Sequence, residues 1–147
     1  MLENAISIAW EYHQDQLDKS GAPYFNHLLG VMNLVSNEHD SSGSIKSTAI
    51  LHDVLEDTEC TVEDLVMADI STTVIKAVIM LTRKEDEPYS DYIDRLSDTS
   101  DESTYAAIIA KKVKIADLKH NLSHERQFDG WESLKPRYEK SLEILGA

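Results

Sequence analysis

Residues 50–58 are Ile50-Leu51-His52-Asp53-Val54-Leu55-Glu56-Asp57-Thr58, an apolar helical run that carries four side chains able to bind a cation or transfer a proton. His52 and Asp53 are neighbours about 100° apart around a helix axis, so both can reach one ion between them. Glu56 follows His52 by four residues, which places it on the same face. Burying unpaired carboxylates is costly, and a divalent cation would remove that cost. The stretch therefore predicts a core helix that binds a metal.

An Asp-His pair supplies two ligands, and we expect two more from other helices. His27 lies early in the second predicted helix, and Asp117 lies on an apolar helix face where a lone carboxylate is unusual. Two imidazoles and two carboxylates suit Mn²⁺, Fe²⁺ or Zn²⁺. Taken singly, His27 also fits a helix-face histidine bonded to a backbone carbonyl, and Asp117 fits a surface or capping residue. The residues alone leave both alternatives open.

The rest of the sequence has the same helical character. Apolar residues recur at helical spacing, no segment shows convincing alternation of period two, and Gly (5) and Pro (3) are scarce. The third predicted helix runs without a break from Ile45 through Leu55. Helix starts are predicted from the turn at 40–43 and from the capping-box pattern at 61–64. We expect an all-α, irregular helical bundle formed by a single domain over residues 1–147.

Composition and charge narrow the range of functions. The formal net charge of −13 argues against general binding to DNA or RNA, which needs surface cations. A metal and a few lysines can still form one local positive site. The single cysteine, Cys60, allows no internal disulfide. The first residues do not resemble a secretion signal, and no apolar stretch approaches a membrane span, so we expect a cytoplasmic protein with no membrane contact.

Four blocks of sequence, in order, resemble the hydrolase domain of RelA/SpoT-type alarmone enzymes within the HD phosphohydrolase superfamily. The first block runs from His13 to His27, and the second from Ala49 to Leu65. The others cover residues 81–84 and 114–122. Together they extend over most of the chain, which makes the resemblance far more specific than the His-Asp dipeptide. It implies an HD-type helical fold and hydrolysis of a phosphorylated nucleotide.

The resemblance also implies the roles of the site residues. It implies one Mn²⁺ bound by four side chains, namely His27, His52, Asp53 and Asp117. Fe²⁺, Zn²⁺, Mg²⁺, Ni²⁺ and Co²⁺ are the alternative ions. Glu56 and Asp57 are implied to be the catalytic pair that handles the attacking water. The implied reaction removes pyrophosphate from the 3′ position of guanosine tetra- or pentaphosphate, (p)ppGpp.

Three basic residues are candidates for substrate binding. Lys19 matches a family position near the base pocket, although a solvated loop lysine explains it as well. Arg83 and Lys84 lie in a matching block after a helix and are predicted to meet distal phosphates. Their alternative is a favourable interaction between cations and a helix C-terminus.

The segment around Asp117 supplies further candidates. Asn121 matches a family position that contacts the nucleotide sugar, and it shares a helix face with Asp117. His120 is either a partner of the metal ligands or a core histidine. Lys114 lies three residues before Asp117 and either faces the site or, as we expect, lies at the surface.

The residues around the predicted metal core depart from the family pattern. Asp18 and Ser123 stand where the family has arginines, and Leu28 and Leu118 replace a proline and a further arginine. The sequence therefore leaves open an HD phosphohydrolase for another nucleotide or small phosphoester, and a non-catalytic nucleotide-binding module. A small nucleotide or phosphoester is the expected ligand, and a homodimer is compatible with the sequence.

Overall fold

The computed structural model describes residues 1–98 and 104–147, and in that part of the chain every regular element is helical. The α-helices are α1 Leu2–His13, α2 Phe25–Leu34, α3 Ser44–Leu51, α4 Val54–Asp57, α5 Val62–Met67, α6 Thr72–Leu81, α7 Tyr89–Ser97, α8 Tyr105–Asn121 and α9 Lys135–Ile144. Two short 3₁₀ turns, His124–Arg126 and Trp131–Ser133, lie between α8 and α9. An isolated bridge joins Leu17 to Pro23. The predicted all-α fold is confirmed.

Local side-chain bonds fix where the helices begin. The Thr61 hydroxyl accepts from the Asp64 amide, and the Asp64 carboxylate accepts from the Thr61 amide, which completes the predicted capping box of α5. At the start of α3, the Asp40 carboxylate accepts from the amides of Ile45 and Lys46. The predicted turn before α3 therefore does act as a cap.

The run from Ile45 to Leu55 was predicted as one helix, and this prediction is wrong. Helix α3 ends at Leu51, and α4 begins at Val54. Between them the His52 ring donates from Nδ1 to the carbonyl of Ala49 at 2.8 Å. In an unbroken helix that carbonyl would accept from the amide of Asp53. Here it accepts instead from the His52 ring and, at 3.5 Å, from the backbone amide of His52.

Helix α8 is the centre of the bundle and packs against α2, α3, α6, α7 and α9. The buried residues form two hydrophobic clusters. The first surrounds α8 and includes Val31, Ile45, Leu81, Ile93, Ile109 and Val113. The second lies beneath α1, α5 and the other side of α3, and includes Ala9, Leu28, Ile50, Leu65 and Val78. Within the described residues, no helix is long and apolar enough to cross a membrane.

Candidate metal centre and its pocket

Four side chains predicted as metal ligands meet in the interior, where α2, the α3–α4 break and α8 come together. Asp117 Oδ1 lies 2.9 Å from His27 Nε2 and 3.4 Å from His52 Nε2. His52 Nε2 lies 3.1 Å from Asp53 Oδ2. His27 and His52 are each 2% exposed. Donor atoms of His27, His52 and Asp53 all lie within 4.8 Å of one another, which is close enough to surround one ion.

The two nitrogens of His52 have different roles. Nδ1 carries the hydrogen, because its partner is the Ala49 carbonyl, which can only accept. Nε2 is buried and faces two carboxylates, yet no atom in residues 1–98 or 104–147 meets it with hydrogen-bond geometry. A buried histidine nitrogen that faces carboxylates suits a divalent cation, which takes the place of the ring proton. The residues present therefore fit a metal site.

The charges of the site also favour a cation. Burial alone would lower the pKa of His52, but Asp53 and Asp117 raise it well above its ordinary value. Burial would likewise raise the pKa of Asp53, but the facing His52 holds it well below its usual range. Both shifts have the same cause, which is the attraction between the His52 ring and the carboxylates that face it.

Neighbouring groups orient the two carboxylates. The Tyr24 hydroxyl donates to Asp53 Oδ2. Asp117 Oδ2 accepts from Lys114 Nζ at 2.8 Å, and Asn121 Nδ2 donates to Asp117 Oδ1 at 3.3 Å. Lys114 was expected at the surface but is 9% exposed. It is turned inward because it neutralises Asp117, a buried charge that would otherwise be costly.

Glu56 and Asp57 lie on the open side of the four ligands. Carboxylate oxygens of Asp53, Glu56 and Asp57 all fall within 4.8 Å of one another. Glu56 Oε1 accepts from the backbone amide of Arg83 at 2.7 Å, which anchors its carboxylate. Partial burial, together with the charges of Asp53 and Glu56, raises the pKa of Asp57 to about 7. Such a value suits a group that accepts and releases a proton near neutral pH.

This constellation opens into a cavity of about 230 Å³. Side chains from α2, α4, α7, α8, α9 and the intervening loops line it, including Tyr24, Glu56, Asp57, Arg83, Tyr89, Lys114, Asn121, Arg126, Arg137 and Tyr138. Arg83 and Asn121 were predicted at the site and do border the cavity. Arg126 and Arg137 were not predicted, since they follow the last matching sequence block. Nothing in the sequence of residues 123–147, which has four Lys or Arg against five Asp or Glu, singles them out.

The other predicted substrate residues lie elsewhere. Lys19 borders an adjoining, more apolar cavity of about 220 Å³, where its Nζ lies 5.1 Å from the centre of the Phe128 ring. Tyr24, Arg126 and Tyr138 border both cavities, so the two share that wall. Lys84 is not brought to either cavity and lies in an acidic surface depression with Glu85 and Glu87.

Asp18 is enclosed at the wall between the two cavities. Its Oδ1 accepts from Ser20 and from the Ala22 amide, and these bonds help to lower its pKa despite the opposing effect of burial. Its Oδ2 lies 3.4 Å from Arg126 Nη1. Arg126 in turn donates from Nε to Asn121 Oδ1 at 3.2 Å. Asp18 thus holds an arginine at the wall that Asn121 also borders.

Comparison with known proteins identifies relatives over most of the chain. No family model matches. The guanosine-3′,5′-bis(diphosphate) 3′-pyrophosphohydrolase MESH1 of Danio rerio is 31% identical over 125 residues, which is 83% of this chain and 67% of that protein. The protein of the same name from Xenopus tropicalis is 29% identical over 136 residues, 89% of this chain and 74% of its own.

A solved structure of a metazoan SpoT ortholog, described as hydrolysing ppGpp, shares the fold. Its TM-score is 0.67 at 23% sequence identity, covering 98% of this chain and 92% of that one. The likeness supports an HD-type arrangement of the helices. Together with the sequence relatives, it confirms the resemblance to RelA/SpoT-type hydrolase domains. The chain belongs to the family of guanosine-3′,5′-bis(diphosphate) 3′-pyrophosphohydrolases that includes MESH1.

Proposed function

We propose that this protein is a metal-dependent phosphohydrolase that removes the 3′ diphosphate from guanosine 3′,5′-polyphosphates as pyrophosphate. One observation carries the proposal: a buried His-His-Asp-Asp cluster opens into a cavity bordered by Arg83, Lys114, Arg126 and Arg137. The chain has a net charge of −13, yet these four cations lie together where an anionic substrate would meet a metal. The MESH1 relatives carry the name of this activity, which supports the substrate.

The proposed metal ligands are His27, His52, Asp53 and Asp117, and the proposed ion is Mn²⁺. Two imidazoles and two carboxylates are a donor set that suits this ion, as well as Fe²⁺ and Zn²⁺. When bound, such an ion supplies Lewis acidity toward a phosphoryl oxygen and acidifies a water molecule. The Ala49 carbonyl fixes the His52 ring with Nε2 facing the site. Tyr24 and Lys114 hold the two carboxylates.

Glu56 and Asp57 are proposed to orient the attacking water and to take its proton. Both carboxylates line the open cavity, so a water at the site and the substrate phosphorus can both be within reach. The raised pKa of Asp57, about 7, means that it can exchange a proton without a large free-energy cost at neutral pH. Glu56 is held in place by the Arg83 amide and so has a defined orientation.

The cations and Asn121 are proposed to bind the phosphates and sugar. Arginine side chains form strong, charge-assisted bonds with phosphate oxygens. Arg83 and Arg137 both approach the ring of Tyr89, with their guanidinium carbons 5.7 Å and 3.5 Å from its centre. This stacking orders two flexible side chains before substrate arrives. Lys19 remains a predicted contact in the adjoining cavity, and Lys84 remains a prediction without support from its position.

Asp18 favours a second candidate, an HD phosphohydrolase for a different nucleotide or small phosphoester. Its carboxylate and the Arg126 that it holds shape the wall between the two cavities. A wall of different shape and charge admits a different base or sugar, while the proposed metal centre stays the same. The partner in either case is a small phosphorylated molecule rather than DNA or RNA. The homodimer and the cytoplasmic location also stay predictions.

The deciding experiment is an assay of the purified protein with Mn²⁺ and guanosine tetraphosphate, read out as released pyrophosphate. A panel of other nucleotides and simple phosphoesters is assayed in parallel. Turnover that is highest with guanosine tetraphosphate, and lost in Asp53→Ala together with the bound metal, supports the first candidate. Higher turnover with another panel member selects the second. Metal binding without turnover of any substrate would contradict both.

A further inference from the structure

Behind the proposed metal ligands, two buried histidines and a glutamate form a hydrogen-bonded chain. His27 Nδ1 lies 2.8 Å from His120 Nδ1. His120 Nε2 lies 3.3 Å from Glu125 Oε2, at the protein surface. His27 is 2% exposed and His120 is 6% exposed, whereas the Glu125 side chain is 74% exposed. The chain therefore links the interior of the site to the 3₁₀ turn after α8.

The backbone of α2 makes room for the His120 ring. A Cβ atom on Gly30 would lie 2.2 Å from His120 Nε2 and 2.5 Å from its Cδ2, distances that atoms do not tolerate. Gly30 is in the middle of a helix, where glycine is unfavourable relative to alanine. The glycine is explained by the ring that it accommodates. His120 is consequently confined against α2, with its two nitrogens directed at His27 and Glu125.

The hydrogens of two neutral imidazoles can be placed along this chain in two ways. In the first, His27 Nδ1 donates to His120 Nδ1, and His120 Nε2 donates to Glu125. His27 Nε2 then presents a lone pair toward His52 and toward Asp117 Oδ1, 2.9 Å away, so this arrangement suits a cation between these groups. In the second, His120 Nδ1 donates to His27, and His27 Nε2–H donates to Asp117 Oδ1 and so cannot bind a metal. His120 Nε2 then turns a lone pair toward the Glu125 carboxylate, which is repulsive.

We propose that His120, supported by Glu125, is a positioning residue that holds His27 in the tautomer able to bind a divalent cation through Nε2. The inference rests on the metal site of the proposed function. A histidine that binds a metal needs its other ring nitrogen held as a donor, and partners of this kind strengthen metal binding. Here the partner of His27 is His120, and the carboxylate of Glu125 in turn accepts the hydrogen on His120 Nε2.

The first test measures Mn²⁺ affinity by titration calorimetry of chelator-treated protein. We expect His120→Leu to weaken Mn²⁺ binding about 10- to 100-fold. Glu125 is exposed, so we expect Glu125→Ala to leave the fold intact. We expect this variant to weaken Mn²⁺ binding about threefold, less than the loss of a direct partner of the metal ligand would. Glu125→Gln keeps an acceptor oxygen and should recover most of the affinity. The exposed histidine His39, changed to Ala, is the matched control and should bind like the wild type.

The second test reads the tautomer itself, which a purely structural role for His120 would not alter. Long-range proton–nitrogen spectra of protein with labelled histidines distinguish Nδ1–H from Nε2–H, and His27→Gln assigns the His27 signals. We expect Nδ1–H on His27 in the wild type loaded with Zn²⁺, which does not broaden the signals as Mn²⁺ does, and more Nε2–H in His120→Leu at the same Zn²⁺ concentration. Unchanged Mn²⁺ affinity in both His120→Leu and Glu125→Ala would overturn the proposal, as would Nε2–H on His27 in the Zn²⁺-loaded wild type. A wild-type protein that binds no Mn²⁺ would overturn the metal site itself and the inference with it.

Discussion

Lys114 and Asp117 form a buried ion pair within one turn of α8, with Nζ 2.8 Å from Oδ2. The other oxygen of Asp117 faces His27 and His52. Asp117 thus pairs with Lys114 through Oδ2, and its Oδ1 is left to bind the proposed metal. Burial would raise the pKa of Asp117, but Lys114 and His52 hold it well below its usual range. Asp117 therefore stays ionised inside the protein.

Replacing Lys114 tests this pair. We expect Lys114→Met to lower the free energy of unfolding by about 3 kcal/mol, because it leaves an uncompensated buried carboxylate. The measurement is urea denaturation at neutral pH. The control is Lys112→Met on the same helix, where the pair with Glu38 is exposed and contributes ~0–1 kcal/mol. Equal effects of the two substitutions would show that Lys114 does not neutralise Asp117.

Glu56→Gln separates catalysis from metal binding. The amide keeps the oxygen that accepts from the Arg83 backbone but can no longer take a proton. We expect unchanged Mn²⁺ content and a kcat lowered about 100-fold or more. Metal analysis and steady-state kinetics provide the two readouts, with the exposed Glu59→Gln as a control. Loss of the metal would reassign Glu56 as a ligand.

The raised pKa of Asp57 predicts a pH-dependent effect on stability. In the folded protein this pKa is about 7, against 3.8 for an ordinary aspartate, so the folded state binds more protons between these two values. Its contribution to stability therefore falls as the pH rises through this window. We expect Asp57→Asn to stabilise chelator-treated protein by about 1 kcal/mol at pH 8, a figure reduced for solvent screening, and by far less near pH 4.

Thermal melts of the variant and wild type at the two pH values measure this difference. Asp15→Asn, at an exposed position, is the control. A stabilisation of the same size at both pH values would show that the effect does not come from ionisation of Asp57. The same substitution should abolish turnover, because asparagine cannot take the proton of the attacking water. The carboxylate that lowers the stability of the protein is thus needed for its activity.

Arg137 tests the contribution of the C-terminal helix to substrate binding. Its guanidinium stacks on Tyr89 and borders the cavity. We expect Arg137→Ala to raise KM for guanosine tetraphosphate about 10-fold, with a smaller change in kcat, because a charge-assisted bond to phosphate is lost. Lys140→Ala on the same helix, at an exposed position, should leave KM unchanged. An equal rise in KM for both variants would indicate only a general effect of surface charge.

The sequence predicted which side chains meet at the candidate metal centre because these residues lie inside short motifs. His52 and Asp53 are adjacent, and His27 and Asp117 lie in blocks that resemble known hydrolase domains. The start of α5 was predictable because Thr61 and Asp64 bond to each other locally. In all these cases the signal depends on residues close together in sequence.

What the sequence did not predict depends on contacts between distant segments. The break after Leu51 was missed because the apolar periodicity continues across it, while the competing bond from His52 to Ala49 is visible only in three dimensions. Lys114 was assigned to the surface because its burial depends on Asp117 pointing inward. Arg126 and Arg137 lie beyond the matching blocks. The position of Arg126 follows from the 3₁₀ turn that packs against α8, and that of Arg137 from the packing of α9 against α8.

The proposed function depends on the binding of one divalent ion by His27, His52, Asp53 and Asp117. An anomalous difference map from crystals grown or soaked with Mn²⁺ tests this binding. We expect one peak with both His Nε2 atoms and an oxygen of each carboxylate inside its coordination sphere, roughly 2.0–2.3 Å away by analogy with other divalent ions. No peak there, or a peak among surface acidic residues alone, would contradict it.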